Sequence, residues 1–200
     1  MDAKTTRPLD AASDPRPLYA RAADQVAALV AAVPAGGLDA PTPCEGFDVR
    51  ALLAHLVSGV RAGAALGETG RDTDLAPVTG VPDDGWAKAY DEARARLVAA
   101  WADDAKLDVP VVVPWGTMPG RAFLASGGVL ETVAHTWDLS RALGDPLPLD
   151  QDLAEYALEW AHRALPAERR GEGVPFEPVR QAPEGADAYT RLAAWLGREV

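Results

Sequence analysis

From Leu18 onward the apolar positions Leu18, Ala22, Val26, Leu29, Val30 and Val33 recur at helical spacing until Pro34 and Gly36-Gly37 interrupt them, which predicts a first helix. Asp39 to Phe47, with Pro41, Pro43 and Gly46, reads as a loop, and Asp48 is placed to cap the helix after it. In that second helix Val49, Leu52, Leu53, Leu56, Val60 and Gly63 share one side, and His55 falls on the flank of the stripe. Gly67 to Gly85, rich in Gly, Pro and Asp, reads as a surface loop. A third helix is expected from about Asp84 to Asp103, with Trp86, Tyr90, Leu97 and Trp101 inward and Lys88, Asp91, Glu92, Arg94 and Arg96 on the solvated side.

The register then changes. Val109, Val111, Val112 and Val113 are β-branched and Pro110 and Pro114 forbid a helix, so a short hairpin is expected, with Pro119-Gly120 at its turn. Arg121 to Leu143 is the longest helical stretch and is apolar around most of its circumference, which places it in the middle of the protein. A fifth helix, about Asp150 to Leu165, and a last amphipathic one, about Asp187 to Gly197, flank an irregular stretch from Pro166 to Pro183. Residues 1–14 read as a disordered leader before one all-α domain over residues 15–200, without internal repeats.

Charge narrows the partners. A net charge of -11 with pI near 4.7 offers no basic footprint for a phosphate backbone and disfavours anionic membrane surfaces, so neither nucleic acid nor membrane is expected. No apolar run approaches the roughly 20 residues of a spanning helix. The single cysteine, Cys44, cannot form an internal disulfide, and the polar N-terminus lacks the apolar core of a signal peptide. These features lead to a cytoplasmic protein in a reducing compartment.

The chemistry concentrates on the central helix. Glu131 and His135 are four residues apart and stack on one face, with Asp138 one turn further on the same strip. A carboxylate in so apolar a helix needs a partner, and a divalent cation is one, because Glu oxygen and neutral His nitrogen bind zinc at about 2.0–2.2 Å. His55, the only histidine before the central helix, lies near Gly59, Ala62 and Gly63 and would complete a three-ligand site with an open position. The bland alternative is a helix-surface hydrogen bond between Glu131 and His135, with His55 an ordinary interfacial residue. Asp138 either orients a ligand imidazole from behind or pairs with Arg141. Cys44 precedes a helix N-terminus but has no adjacent base in the sequence, and His162 reads as a surface residue between Glu159 and Arg163.

Three segments in order carry a family pattern: T-P-C-E-G-F-D-V-R-A-L-L-A-H-L (Thr42 to Leu56), P-W-G-T-M-P-G (Pro114 to Gly120) and E-T-V-A-H-T-W-D-L-S-R-A-L-G (Glu131 to Gly144). They resemble the DinB-like superfamily, specifically actinobacterial proteins related to the metal-binding domain of mycothiol-dependent maleylpyruvate isomerase. The resemblance implies a DinB-type four-helix bundle with further C-terminal helices, and a metal held by residues matching His55, Glu131 and His135. It also implies an enzyme that uses a low-molecular-weight thiol, mycothiol, on an electrophilic substrate in transferase or isomerase chemistry. Phe47 stands where relatives often carry tryptophan. The isomerase's additional C-terminal domain is not expected here, which separates this chain from maleylpyruvate isomerisation itself. The alternatives are a metal-dependent hydrolase and a non-enzymatic, stress-related metal or ligand binder, and flat helical faces suit a homodimer.

Overall fold

The computed structural model describes residues 14–72, 76–170 and 176–200. The leader expected over residues 1–14 therefore lies, except for Asp14, outside the described residues. Four helical segments form the bundle: α1 (Arg16–Ala31), α2 (Val49–Thr69), α3 (Trp86–Ala100) and a central helix over residues 120–142. The central helix comprises α4 (Gly120–Phe123), a π-helical segment (Leu124–Leu130) and α5 (Glu131–Ala142). α1 packs on α3 and α5, and α2 packs on the same two, which closes the ring. α6 (Gln151–Ala164) lies against the π segment, and α7 (Ala188–Trp195) docks on α6 and α5. The fold is all-α and DinB-like.

Three helix starts follow from one residue type. Asp48, Asp150 and Asp187 each stand in extended backbone and accept a hydrogen bond from a backbone N–H of the first turn: Ala51 N at 2.7 Å, Asp152 N at 3.2 Å and Thr190 N at 2.7 Å. The apolar stripes meet in one core that spans α1 to α7, with Val26, Leu52, Leu53, Leu139, Leu153 and Leu192 at its centre.

Several boundaries differ from the sequence expectation. α2 continues through Gly67 to Thr69 instead of giving way to a loop, because the face of Gly67 is pressed against the Trp101 indole, whose nitrogen donates to the Gly63 carbonyl at 2.9 Å. That extension also gives α2 the length and mean hydropathy, 1.3, of a membrane-spanning helix, contrary to the sequence reading; 56% of that window is buried inside the bundle. The hairpin pairs β1 (Pro110–Val113) with β2 (Gly116–Pro119), antiparallel, with Val113 opposite Gly116. Its turn is therefore Pro114-Trp115 and not Pro119-Gly120. Gly120 begins the central helix, where a Cβ would sit 2.3 Å from the Lys106 carbonyl oxygen.

The central helix departs most. It was expected to be continuous α-helix, and its second part widens into π geometry over seven residues that include Gly127 and Gly128. Such insertions recur at functional sites because they shift the register of everything that follows. Here the residue that follows is Glu131.

Candidate metal centre

His55 Nε2 on α2 and His135 Nε2 on α5 both address one oxygen of Glu131, Oε1, at 2.8 and 3.1 Å. One ligating atom from each of the three residues lies within 4.8 Å of the others. The sequence reading proposed these three residues, and the structure brings them together across two helices. The alternative of a Glu131–His135 hydrogen bond alone leaves out the bond that His55 Nε2 makes to the same oxygen.

The environment differs from the expectation in one respect. Glu131 is only half-buried: its side chain is 43% exposed, at the opening of the site. The fully buried carboxylate is Asp138, one turn deeper, with 0% exposure. Its Oδ2 bonds His135 Nδ1 at 2.9 Å. Arg198 then closes the chain from behind, donating from Nε to Asp138 Oδ1 at 3.2 Å and from Nη2 to Oδ2 at 3.0 Å. Asp138 thus takes the orienting role, while Arg141 pairs with Asp145 instead. Such a carboxylate behind an imidazole fixes the tautomer, placing the proton on Nδ1 and the lone pair of Nε2 toward the site.

Sequence reasoning missed Arg198, and it misjudged Cys44. The thiol lies within 4.8 Å of ligating atoms of His135 and Asp138, and Arg198 Nη2 approaches its sulfur at 3.6 Å. Cys44 therefore does have an imidazole nearby, contrary to the expectation of no adjacent base. The T-P-C-E-G motif hinted that this loop matters, but nothing local hinted at Arg198, 154 residues on. His162 is exposed as expected, edge-on to Trp195 at 4.2 Å. Phe47 packs edge-on to His55 at 5.4 Å and backs that imidazole.

Ionisation follows this geometry. Burial pushes the Glu131 carboxyl up, but hydrogen bonds from His135 and His55 outweigh it and hold the group below the usual carboxylate range. Burial disfavours a charged His135, yet hydrogen bonds to Asp138, Cys44 and Glu131 prevail and raise its pKa well above the ordinary histidine value. Asp138, also pushed up by burial, is held low by His135 and Arg198.

The family described as the mycothiol maleylpyruvate isomerase N-terminal domain matches residues 19–140, a span that contains α2, the hairpin and all three donors. The chain belongs to that family. Two uncharacterized proteins of Mycobacterium tuberculosis, from strains CDC 1551 / Oshkosh and H37Rv, are each 31% identical to it over 187 residues, covering 94% of this chain and 99% of the relative. No solved structure matches significantly. As a member of the mycothiol maleylpyruvate isomerase N-terminal domain family, the chain is mycothiol-related and of a metal-binding, DinB-like kind.

The donors fit a metal. Ligands at about 2.0–2.1 Å in tetrahedral array stand roughly 3.3 Å apart, close to the 2.8 and 3.1 Å that separate the imidazole nitrogens from the Glu131 oxygen. Two neutral nitrogens and one carboxylate oxygen are also the donor set of open zinc sites. The second cluster, Cys44 with His135 and Asp138, fits less well: the Arg198 guanidinium already sits among those groups, and a cation there repels another.

Proposed function

We propose that the protein is a metal-dependent thiol transferase or isomerase, with His55, Glu131 and His135 holding one divalent ion, zinc by the donor set, and mycothiol supplying the sulfur. The observation that carries this reading is the convergence of two imidazoles on one Glu131 oxygen from separate helices, leaving a side open toward a cavity. When bound, the metal supplies Lewis acidity that lowers the pKa of a thiol in its open position.

The chain's own groups do the rest. Glu131 offsets part of the ion's charge, and Asp138, braced by Arg198, keeps the Nε2 lone pair of His135 aimed at the site. In the reaction the thiol proton passes to solvent and the sulfur pair forms a C–S bond with an electrophilic carbon. The pair displaced from that carbon departs with a leaving group or, where a double bond opens, takes up a proton to leave an adduct; in isomerisation it instead re-forms the double bond after rotation, as the C–S bond breaks and the thiol leaves. Cys44 and Asp138 do not extend the ligand set to four, since they group at the edge of His135 where Nδ1 already bonds Asp138. This favours the open site of an enzyme over the closed site of a binding protein.

The test follows mycothiol consumption by zinc-loaded protein across a panel of electrophiles. Turnover with at least one electrophile that is lost in His55→Ala supports the proposal, and no turnover beyond that of the variant over the whole panel rejects it. Inactivity with thiols combined with ester or amide cleavage would select the hydrolase alternative.

A further inference from the structure

The stretch of the central helix that leads into Glu131 has little of its own to hold it. Gly127 and Gly128 stand side by side inside the π segment, where glycine weakens a helix more than any residue but proline and brings no side chain to anchor its backbone. Neighbours occupy the places of the missing side chains: a Cβ on Gly127 would meet the Phe123 ring at 2.9 Å, and one on Gly128 the Tyr19 ring at 3.3 Å. Three residues after Gly128 the chain returns to α geometry at Glu131. A donor oxygen is thus hung from a part of the helix that intrinsic preference leaves loose, although a metal site holds its ligand distances within about 0.2 Å.

What anchors that exit is the Gly128 carbonyl. It accepts the backbone N–H of Glu131 and, at 2.6 Å, the hydroxyl of Thr132. Thr132 is 5% exposed and lines the same cavity wall as His55, Glu131 and His135. A buried threonine that donates to the carbonyl four residues back is ordinary inside a helix and by itself only satisfies its own hydroxyl. Thr136 is that ordinary case: fully buried in regular α-helix, it donates to the Thr132 carbonyl at 2.8 Å. Thr132 differs in its acceptor, which belongs to the π segment and carries the amide of a metal donor at the same time.

The two contacts of Glu131 depend on this exit unequally. The 3.1 Å approach to His135 follows from i,i+4 spacing on one helix, whereas the 2.8 Å approach to His55 crosses to α2 and depends on the angle at which the π segment releases Glu131.

We propose that Thr132 is a positioning residue for the metal centre: its hydroxyl, bonded to the Gly128 carbonyl, fixes the exit of the π segment and so the place at which Glu131 meets His55. The inference rests on the reading of His55, Glu131 and His135 as metal donors.

Cobalt binding tests it, read by chelator competition for affinity and by absorption for the geometry of the donor set. Thr132→Val keeps the branched shape and removes the hydroxyl. It is expected to weaken cobalt binding at least about tenfold, the lower end for a residue that acts through a ligand, and to alter the absorption bands. Thr132→Ser keeps the hydroxyl and is expected to restore both. Thr136→Val makes the same change in regular α-helix and is expected to leave affinity and bands as they are, whatever it costs in urea unfolding. Thr132→Ala, which removes the hydroxyl with a better helix former, carries the test where the valine variant does not fold. Unchanged affinity and bands in Thr132→Val, no recovery in Thr132→Ser, or an equal loss in Thr136→Val overturns the positioning role alone. Unsubstituted protein that binds no cobalt, or binding undiminished in His55→Ala, overturns the metal reading beneath it.

Discussion

At the single residue, His135 shows how one imidazole is given two jobs by its neighbours. Asp138 accepts from Nδ1, so an asparagine there, able to donate an N–H to that nitrogen, would move the ring proton to Nε2 and block the metal-facing lone pair. Asp138→Asn is therefore expected to weaken zinc binding by about 10–100-fold in a chelator competition; unchanged affinity would mean the tautomer is set elsewhere. Arg198→Met leaves a fully buried carboxylate short of its cation and should cost roughly 3 kcal/mol in urea unfolding of the metal-free protein. The raised pKa of His135 fixes the sign of a pH effect. In metal-free protein its charged form contributes stability that is complete below the unfolded value near 6.5 and is lost as pH rises through the higher folded value. Zinc needs the neutral ring, so binding at pH 7 should release about one proton from His135, and affinity should rise with pH; calorimetry in buffers of different ionisation enthalpy reads that release. Of these residues, His55, Glu131 and His135 were legible because i,i+4 spacing and a scarcity of histidines leave few combinations. Arg198 and Cys44 were not, because their meeting depends on how α7 docks, and no local pattern encodes that.

At the scale of elements, the helices were readable wherever an apolar stripe began after an aspartate cap, as at Asp48 and Asp150. Errors fell where glycine carries two meanings. In sequence, Gly67 looks like the start of a loop, and the widening at Gly127-Gly128 goes unread within one long helical stretch. In space, Gly67 admits the Trp101 ring and Gly128 lies against Tyr19, while the pair sits within the π turn that sets the register of Glu131. Intrinsic propensity treats these glycines alike, and tertiary packing separates them. α2 provides the comparison that tests this. Gly59→Ala, entering open space, should stabilise the protein by about 0.5–1 kcal/mol through helix propensity. Gly67→Ala puts a methyl 2.6 Å from the indole nitrogen of a tryptophan that is 1% exposed, and overpacking should outweigh that gain by roughly 1–3 kcal/mol. Parallel unfolding curves decide it, and two shifts of the same sign would show that Trp101 yields more easily than its burial suggests.

For the whole molecule, the donors join α2 to the central helix, two members of the ring, near the point where the π segment widens the latter. A metal bound there favours the folded chain, since the unfolded chain holds His55 some 76 residues from Glu131 and has no preformed site. Zinc at 100 times its dissociation constant should then add about 2.7 kcal/mol to folding. For a chain of this size each kcal/mol raises the midpoint by roughly 2–4 °C, so an increase of about 5–11 °C over chelator-treated protein is expected. The increase should vanish in His55→Ala, which removes the α2 donor but leaves the contact between Glu131 and His135 within the central helix. It should persist, at its own reduced affinity, in Asp138→Asn when zinc is supplied in proportion. A rise of equal size in His55→Ala would place the ion on the central helix alone, and the link between the two helices would then owe nothing to metal.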